Sequence, residues 1–248
     1  MSRRKLLATD NKYSRGVVAV CAGSTKYPGA ALLAIGGARA GSAGYVKFVS
    51  SSRELSNLVV SKYPDVVPIS TLENERLDSF LVGPGGSTIA KLPNVPSVLD
   101  SSAIAILTKK SSMDSKRITV ITPHEGELQF LGKSYGEELL GLDRRSTALK
   151  IAQDFSAIVV LKGAGTVVAS PDGKTFVDQI GGSELATAGS GDVLAGLIAS
   201  LLVEVKDGGD PFKLVCEAVK LHSKAGRYAA KKFTAVTAVE IVDSLHHV

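Results

Sequence analysis

Gly16-Val17-Val18-Ala19-Val20-Cys21-Ala22, running straight into Gly23-Ser24-Thr25-Lys26-Tyr27-Pro28-Gly29-Ala30-Ala31, is the stretch that decides the fold. An uncharged, valine-rich run reads as a strand buried on both faces, and the Gly/Ser/Pro loop behind it leads into small helix-forming residues. A helix over about 29–40 then completes a strand–loop–helix unit. Working outward, further strands are expected at 45–49, 79–82, 97–100, 117–121 and 157–161. Residues 166–169 pair with 175–177 across Pro171-Asp172-Gly173-Lys174, a hairpin turn. Short apolar runs alternating with helical patterns predict an α/β fold with a mainly parallel central sheet and helices on both faces. After the hairpin the character changes. Residues 193–204, 212–231 and 238–246 read as helices with no strand between them.

The chain has 248 residues with no repeat, linker or compositional shift, so a single domain over 1–248 is expected. A hydrophobic fraction of 44% against 21% charged excludes general disorder. The 25 glycines and 9 prolines follow no Gly-X-Y period, which excludes a fibrous chain. Cys21 and Cys216 lie far apart and form no metal-ligand pair, which suits a reducing compartment. The basic start Arg3-Arg4-Lys5 is followed only by Leu6-Leu7-Ala8, without the apolar core of a signal peptide. The most apolar later stretch, 193–203, is too short to span a bilayer. A soluble, cytoplasmic protein with no membrane partner is expected. The net charge of +5 comes with no long basic run interleaved with aromatics, so nucleic acid is not an expected partner. An anionic small ligand such as a nucleotide fits the balance.

In open α/β sheets ligands sit outside the carboxyl ends of the strands, and here nearly every strand ends in a Gly-, Ser-, Asp- or Pro-rich loop. Gly189-Ser190-Gly191-Asp192 opens an apolar helix. Its free backbone N–H groups and the helix dipole suit an anion, and a carboxylate there suits a base. The same pattern also serves as a plain helix cap, and spacing alone does not separate the two. Lys162-Gly163-Ala164-Gly165-Thr166, at the end of a buried strand, places a cation and backbone donors together, or forms a hairpin with a solvated lysine. Thr122-Pro123-His124-Glu125-Gly126-Glu127 puts a histidine at a strand-to-helix loop, as ligand contact or as cap; its spacing is not that of a zinc protease. The small residues Ala30, Ala31 and Gly85 permit either close ligand approach or close helix packing. No P-loop and no dinucleotide Gly fingerprint is present. No metal site is expected from the protein side chains.

Taken together, Ala22-Gly23-Ser24, Tyr27-Pro28-Gly29-Ala30-Ala31, Gly83-Pro84-Gly85, Asp100, Thr122-Pro123-His124-x-Gly126-Glu127, Leu161-Lys162-Gly163-Ala164-x-Thr166 and Gly189-Ser190-Gly191-Asp192 resemble the ADP-dependent NAD(P)H-hydrate dehydratases, within the ribokinase-like superfamily. Three positions depart from that pattern: Asn11, Gly86-Ser87, and Asp100-Ser101-Ser102-Ala103, where one carboxylate is lost and Ser102 stands in its place. The short stretch from Gly86 to the next strand leaves room only for an abbreviated helix.

The resemblance implies dehydration of the S-form of NADH and NADPH hydrate, driven by phosphorylation of the hydrate hydroxyl by ADP and loss of phosphate, giving AMP. It implies Asp192 as catalytic base, Gly189, Ser190 and Gly191 as the phosphoryl cradle, and Lys162, Gly163, Ala164, Gly165, Thr166 and Gly191 on the nucleotide. Ala30, Ala31, Gly85, His124 and Asp192 would face the hydrated dinucleotide. ADP, or ATP in its place, would carry Mg²⁺. A homotetramer and a separate epimerase as functional partner are further expectations from the family. Two rivals are a ribokinase-like kinase of a sugar or vitamin precursor, and a nucleotide-binding sensor without turnover.

Overall fold

The computed structural model describes residues 6–105, 107, 117–128, 131, 139 and 141–248; the basic start Arg3-Arg4-Lys5 lies outside them. Its elements are β1 (Val17–Cys21), α1 (Gly29–Arg39), β2 (Tyr45–Val49), α2 (Arg53–Lys62), β3 (Val67–Ile69), β4 (Ser79–Val82), β5 (Ser97–Leu99), α3 (Ser102–Ala105), β6 (Thr119–Ile121), α4 (Arg144–Phe155), β7 (Ile158–Leu161), β8 (Val167–Ala169), β9 (Thr175–Val177), α5 (Ser190–Leu201), α6 (Pro211–Lys232) and α7 (Ala238–Ser244). The nine strands form one sheet in the order β3-β2-β1-β4-β5-β6-β7-β8-β9. Pairing is parallel from β3 to β7 and antiparallel from β7 through β9. The α/β architecture, the mainly parallel sheet and the β8–β9 hairpin are as the sequence predicts. The Gly83 loop itself makes one 3₁₀ turn, Pro84–Gly86, and residues 87–96 reach β5 with no helix, where the sequence reading expects an abbreviated one.

Successive side chains of a strand point to opposite faces, and β1 shows how this builds two cores. Val18 and Val20 join Leu81, Val98 and Val160 beneath α1, α2, α5, α6 and α7. Ala19 and Cys21 join Phe80, Leu99 and Ile121 beneath α3 and α4, packed on Ile151 and Phe155. Helices α1 and α5 meet almost backbone to backbone. A Cβ on Gly37 would lie 2.1 Å from the Val193 carbonyl oxygen, and one on Gly196 would lie 1.9 Å from that of Ala34. Neither approach leaves room for a side chain at Gly37 or Gly196, which lets the two helices pack this closely. Among the described residues no helix is long and apolar enough to cross a membrane.

Candidate active site

Beyond the carboxyl ends of β5, β6 and β7, the first turn of α5 closes a cleft of about 730 Å³. Each strand delivers one polar group to it: Asp100 after β5, the Thr122–Glu127 loop after β6, and Lys162 after β7. Lys162 Nζ lies 2.7 Å from Asp100 Oδ1 and 3.9 Å from Glu127 Oε2. The Thr122 hydroxyl donates to the same Asp100 oxygen at 2.6 Å. The lysine is therefore anchored and buried, not solvated. Burial acts to pull its proton off, but Asp100, Glu127 and Asp192 outweigh that and hold its pKa above the ordinary lysine value. Its turn is tied down from below. The Lys162 N–H donates to the Pro123 carbonyl at 2.8 Å, and Arg144 donates to the carbonyls of Leu161 and Lys162 at 3.1 and 3.2 Å.

Helix α5 starts at Ser190, three residues before the sequence expectation, so the Gly-Ser-Gly turn is itself the helix start. Gly189 takes φ +86°, left-handed backbone that glycine adopts without strain. The N–H groups of Gly191 and Asp192 find no acceptor among the described residues and are free for an anion. Asp192 sits in this first turn, over the Lys162 cluster. Burial raises its pKa, the negative charges of Asp100 and Glu127 raise it further, and Lys162 opposes them; the outcome is a carboxyl pushed up to about 7. Near neutrality such a group both takes and gives a proton.

His124 occupies both roles that its sequence position allows. Its Nδ1 accepts from the Glu127 N–H at 3.2 Å, while the Glu127 carboxylate accepts from the His124 N–H at 2.9 Å. That is a reciprocal cap on the turn at 125–128. Its ring also lines the cleft and stays largely exposed. Lys162, Gly163, Ala164, Gly165, Thr166, Gly189, Ser190, Gly191 and Asp192 line the same cleft. Ala30, Ala31 and Gly85 are not among the lining residues. Ala31 is fully buried and packs against Gly23, and a Cβ on Gly85 would meet that of Ala30 at 2.6 Å, so in this structure these small residues pack closely beside the cleft.

Two of the three departures from the family pattern, at Ser87 and Ser102, touch each other. Ser102 Oγ donates to the carbonyls of Ser87 and Gly83 at 2.7 and 3.0 Å, and Ser87 Oγ donates to the Cys21 carbonyl at 2.6 Å. Ser102 thus holds the Gly83 loop against β5. Two cleft elements were given no site role from the sequence. His222, buried in α6, lies against Ser190. Asp178 accepts from Ser223 Oγ at 2.7 Å and from the Gly181 N–H at 3.0 Å, shaping the loop that forms the far wall.

A family profile described as NAD(P)H-hydrate dehydratase matches residues 18–247, which is nearly the whole chain. The chain belongs to the NAD(P)H-hydrate dehydratase family. An ADP-dependent (S)-NAD(P)H-hydrate dehydratase from Neisseria meningitidis is 32% identical over 87% of this chain and 77% of that protein. A bifunctional NAD(P)H-hydrate repair enzyme from Mycobacterium leprae is 37% identical over 78% of this chain. The chain spans about half the length of such bifunctional relatives or less, 42% in that case. In three dimensions it is similar to the ADP/ATP-dependent NAD(P)H-hydrate dehydratase from Bacillus subtilis co-crystallised with ATP and Mg²⁺. That structure is 26% identical with a TM-score of 0.82, over 98% of this chain and 92% of the other. Solved ribokinases share the fold, with TM-scores of 0.52 and 0.54 at 14% identity. The dehydratase fold is thus a ribokinase-like one, as the sequence motifs imply.

Proposed function

We propose that this protein restores hydrated NADH and NADPH, in their S-forms, by ADP-dependent dehydration. The observation that carries the reading is Asp192: a carboxyl with pKa about 7, one residue beyond an anion turn and facing a lysine-anchored nucleotide turn. The hydrate carries a hydroxyl on the carbon beside the ring nitrogen. Asp192 takes the hydroxyl proton while the oxygen attacks the β-phosphorus of ADP; an O–P bond forms, and the bond to AMP breaks. Gly189, Ser190 and Gly191 hold the phosphoryl group as its charge spreads. The ring-nitrogen lone pair then expels phosphate, and loss of a proton from the neighbouring carbon restores the ring double bond. Reduced dinucleotide, AMP and phosphate are the products.

In this reading Lys162, Gly163, Ala164, Gly165 and Thr166 hold the nucleotide, and His124 faces the dinucleotide across the cleft. Ala30, Ala31 and Gly85 support that side by packing. Among the described residues no cluster of three or more acidic, His or Cys side chains forms a metal cage. Asp100, the best-placed carboxylate, is engaged by Lys162 and Thr122. Mg²⁺ would therefore be carried on the nucleotide, with phosphate and water as most of its ligands. When bound it supplies neutralisation of phosphate charge. We extend the reading to a single dehydratase domain over residues 1–248, a homotetramer in the cytoplasm, and a separate epimerase that interconverts the hydrate epimers.

The test is incubation with NADH hydrate and ADP while following absorbance at the reduced-nicotinamide band. Recovery of absorbance with stoichiometric AMP supports the dehydratase. A small-molecule kinase would consume nucleotide with its own substrate and leave the band flat. A sensor would bind ADP without producing AMP.

A further inference from the structure

Among the buried titratable groups of the cleft that the function proposed above does not use is His222. It lies on α6, is 5% exposed, and faces the first residue of α5. Its Nε2 is 3.0 Å from the Ser190 carbonyl oxygen and 3.2 Å from Ser190 Oγ. These contacts fix where the protons are. A carbonyl oxygen only accepts, so Nε2 must carry the hydrogen. A protonated ring nitrogen cannot accept in turn, so toward His222 the Ser190 oxygen is also an acceptor. The hydroxyl's own hydrogen must then point elsewhere. Ser190 Oγ has no other hydrogen-bond partner among the described residues, and both residues line the cleft.

We infer that His222 is a positioning residue: its Nε2–H grips the Ser190 carbonyl and hydroxyl oxygens, so that the Ser190 hydroxyl proton is presented to the phosphoryl group held by the turn. This rests on reading the turn as a phosphoryl cradle. The imidazole is suited to the task because it stays uncharged. Burial lowers its pKa to about 4, partly offset by the Ser190 hydrogen bond and by Asp178, with Lys162 adding to the depression. A neutral donor fixes the turn without adding a second cation beside Lys162.

The tautomer is read first, from ¹⁵N-histidine NMR of the unmodified protein. A neutral ring protonated at Nε2 is expected; protonation at Nδ1 overturns the inference. Function is read in His222→Leu, which fills the space without a donor, in His222→Gln, which returns an N–H, in Ser190→Ala, and in the Ser190→Ala/His222→Leu pair. His222→Leu and Ser190→Ala should each lower kcat about 10-fold, with ADP Kd and hydrate KM within about 2-fold. The pair should lose little more than either alone, because both act through one hydroxyl. His222→Gln should return kcat to within about 3-fold. Inorganic phosphate binding in the presence of AMP, by calorimetry, should weaken about 10-fold in the Leu and Ala variants.

Losses that multiply to about 100-fold in the pair, normal kcat in His222→Leu, or a loss confined to ADP affinity each overturn it. If His222→Leu fails to fold, Ser190→Ala, His222→Gln and the tautomer decide the question. A wild-type protein without hydrate turnover strikes the function proposed above; the tautomer and phosphate binding still judge this inference.

Discussion

Replacing Asp192 with Asn should raise the stability of the protein while disabling it. The carboxyl is pushed from an ordinary 3.8 up to about 7 by burial and by its acidic neighbours. In the unfolded chain it ionises around pH 4; in the fold it keeps its proton until about pH 7. Between those values the folded state binds the extra proton, so stability falls as pH rises through the window and levels off above it. Each tenfold change in proton affinity is worth about 1.4 kcal/mol. Allowing for water at this partly open carboxylate, ionising it costs the fold on the order of 3 kcal/mol. Asn avoids that cost. Urea unfolding should find Asp192→Asn more stable than wild type by about 3 kcal/mol at pH 8 and equal to it near pH 4. Turnover should fall by ~10²–10⁴-fold, the usual worth of a general base, mostly in kcat. The acid limb of the wild-type kcat/KM profile, dropping tenfold per pH unit below about 7, should vanish. Near-normal turnover, or a stability difference that does not change with pH, would refute the reasoning.

Lys162→Met should weaken ADP binding with hydrate KM nearly unchanged, and should cost about 3–5 kcal/mol of stability by stranding Asp100 and Glu127. Because Lys162 holds the Asp192 pKa down, the acid limb should also move to higher pH; equal losses of ADP and hydrate affinity would contradict the subsites. His124→Asn keeps a capping side chain, so melting temperature should hold while hydrate KM rises. His124→Ala should lose about 1 kcal/mol with the cap, and a His124→Asn variant with altered stability and normal KM would leave capping as the residue's whole role. Gly189→Ala forces a side chain into left-handed backbone with its Cβ 2.2 Å from Leu33 Cδ1, so stability should fall by at least about 1–2 kcal/mol. Phosphate binding should fall with it, and an unchanged melting curve would show that the turn tolerates another backbone path.

Strands were legible because each is a short, branched, apolar run closed by turn residues. The missed elements lack that signature. β3 is an edge strand with Val67 and Pro68 exposed. In α2 only Leu55 and Val59 are buried, a stripe too thin to set a period. In α4 the buried face includes Thr147 and two alanines, which blur the contrast with its polar side. At the site, the loops that follow strands announced themselves through Gly, Pro and Lys. His222 was matched only as part of the family-like helix segment Leu221-His222-x-x-Ala225-Gly226 and given no site role, because its partner lies 32 residues away. Nor did the sequence show that Lys162 is ion-paired, since Asp100 is 62 residues distant. Asp100 and Lys162 were each marked by motif; only the parallel order β5-β6-β7 makes them neighbours.

That pairing explains which carboxylate becomes the base. Asp100, Glu127 and Asp192 all act on the one lysine. Asp100 sits at contact distance and receives a second hydrogen bond from Thr122. Glu127 is farther from the lysine but is held by the His124 backbone N–H. Each of these two carboxylates thus has a hydrogen-bond donor of its own. Asp192 receives no side-chain or capping donor among the described residues; it feels the lysine only through space and is repelled by the other two. One cation cannot satisfy three anions in a buried cluster, so the proton settles on the least-supported carboxyl. That carboxyl is the one carried on the anion turn, where a substrate hydroxyl would meet it. The lysine that anchors the nucleotide turn therefore also sets the pH at which the base is ready, and changing Asp100 to Asn should lower the Asp192 pKa twice over, by removing a repelling charge and by freeing Lys162 to pair with Asp192. The acid limb of kcat/KM should then shift below pH 7 even though Asp100 need not touch the hydrate; an unmoved limb would mean that Asp192 titrates independently of the cluster.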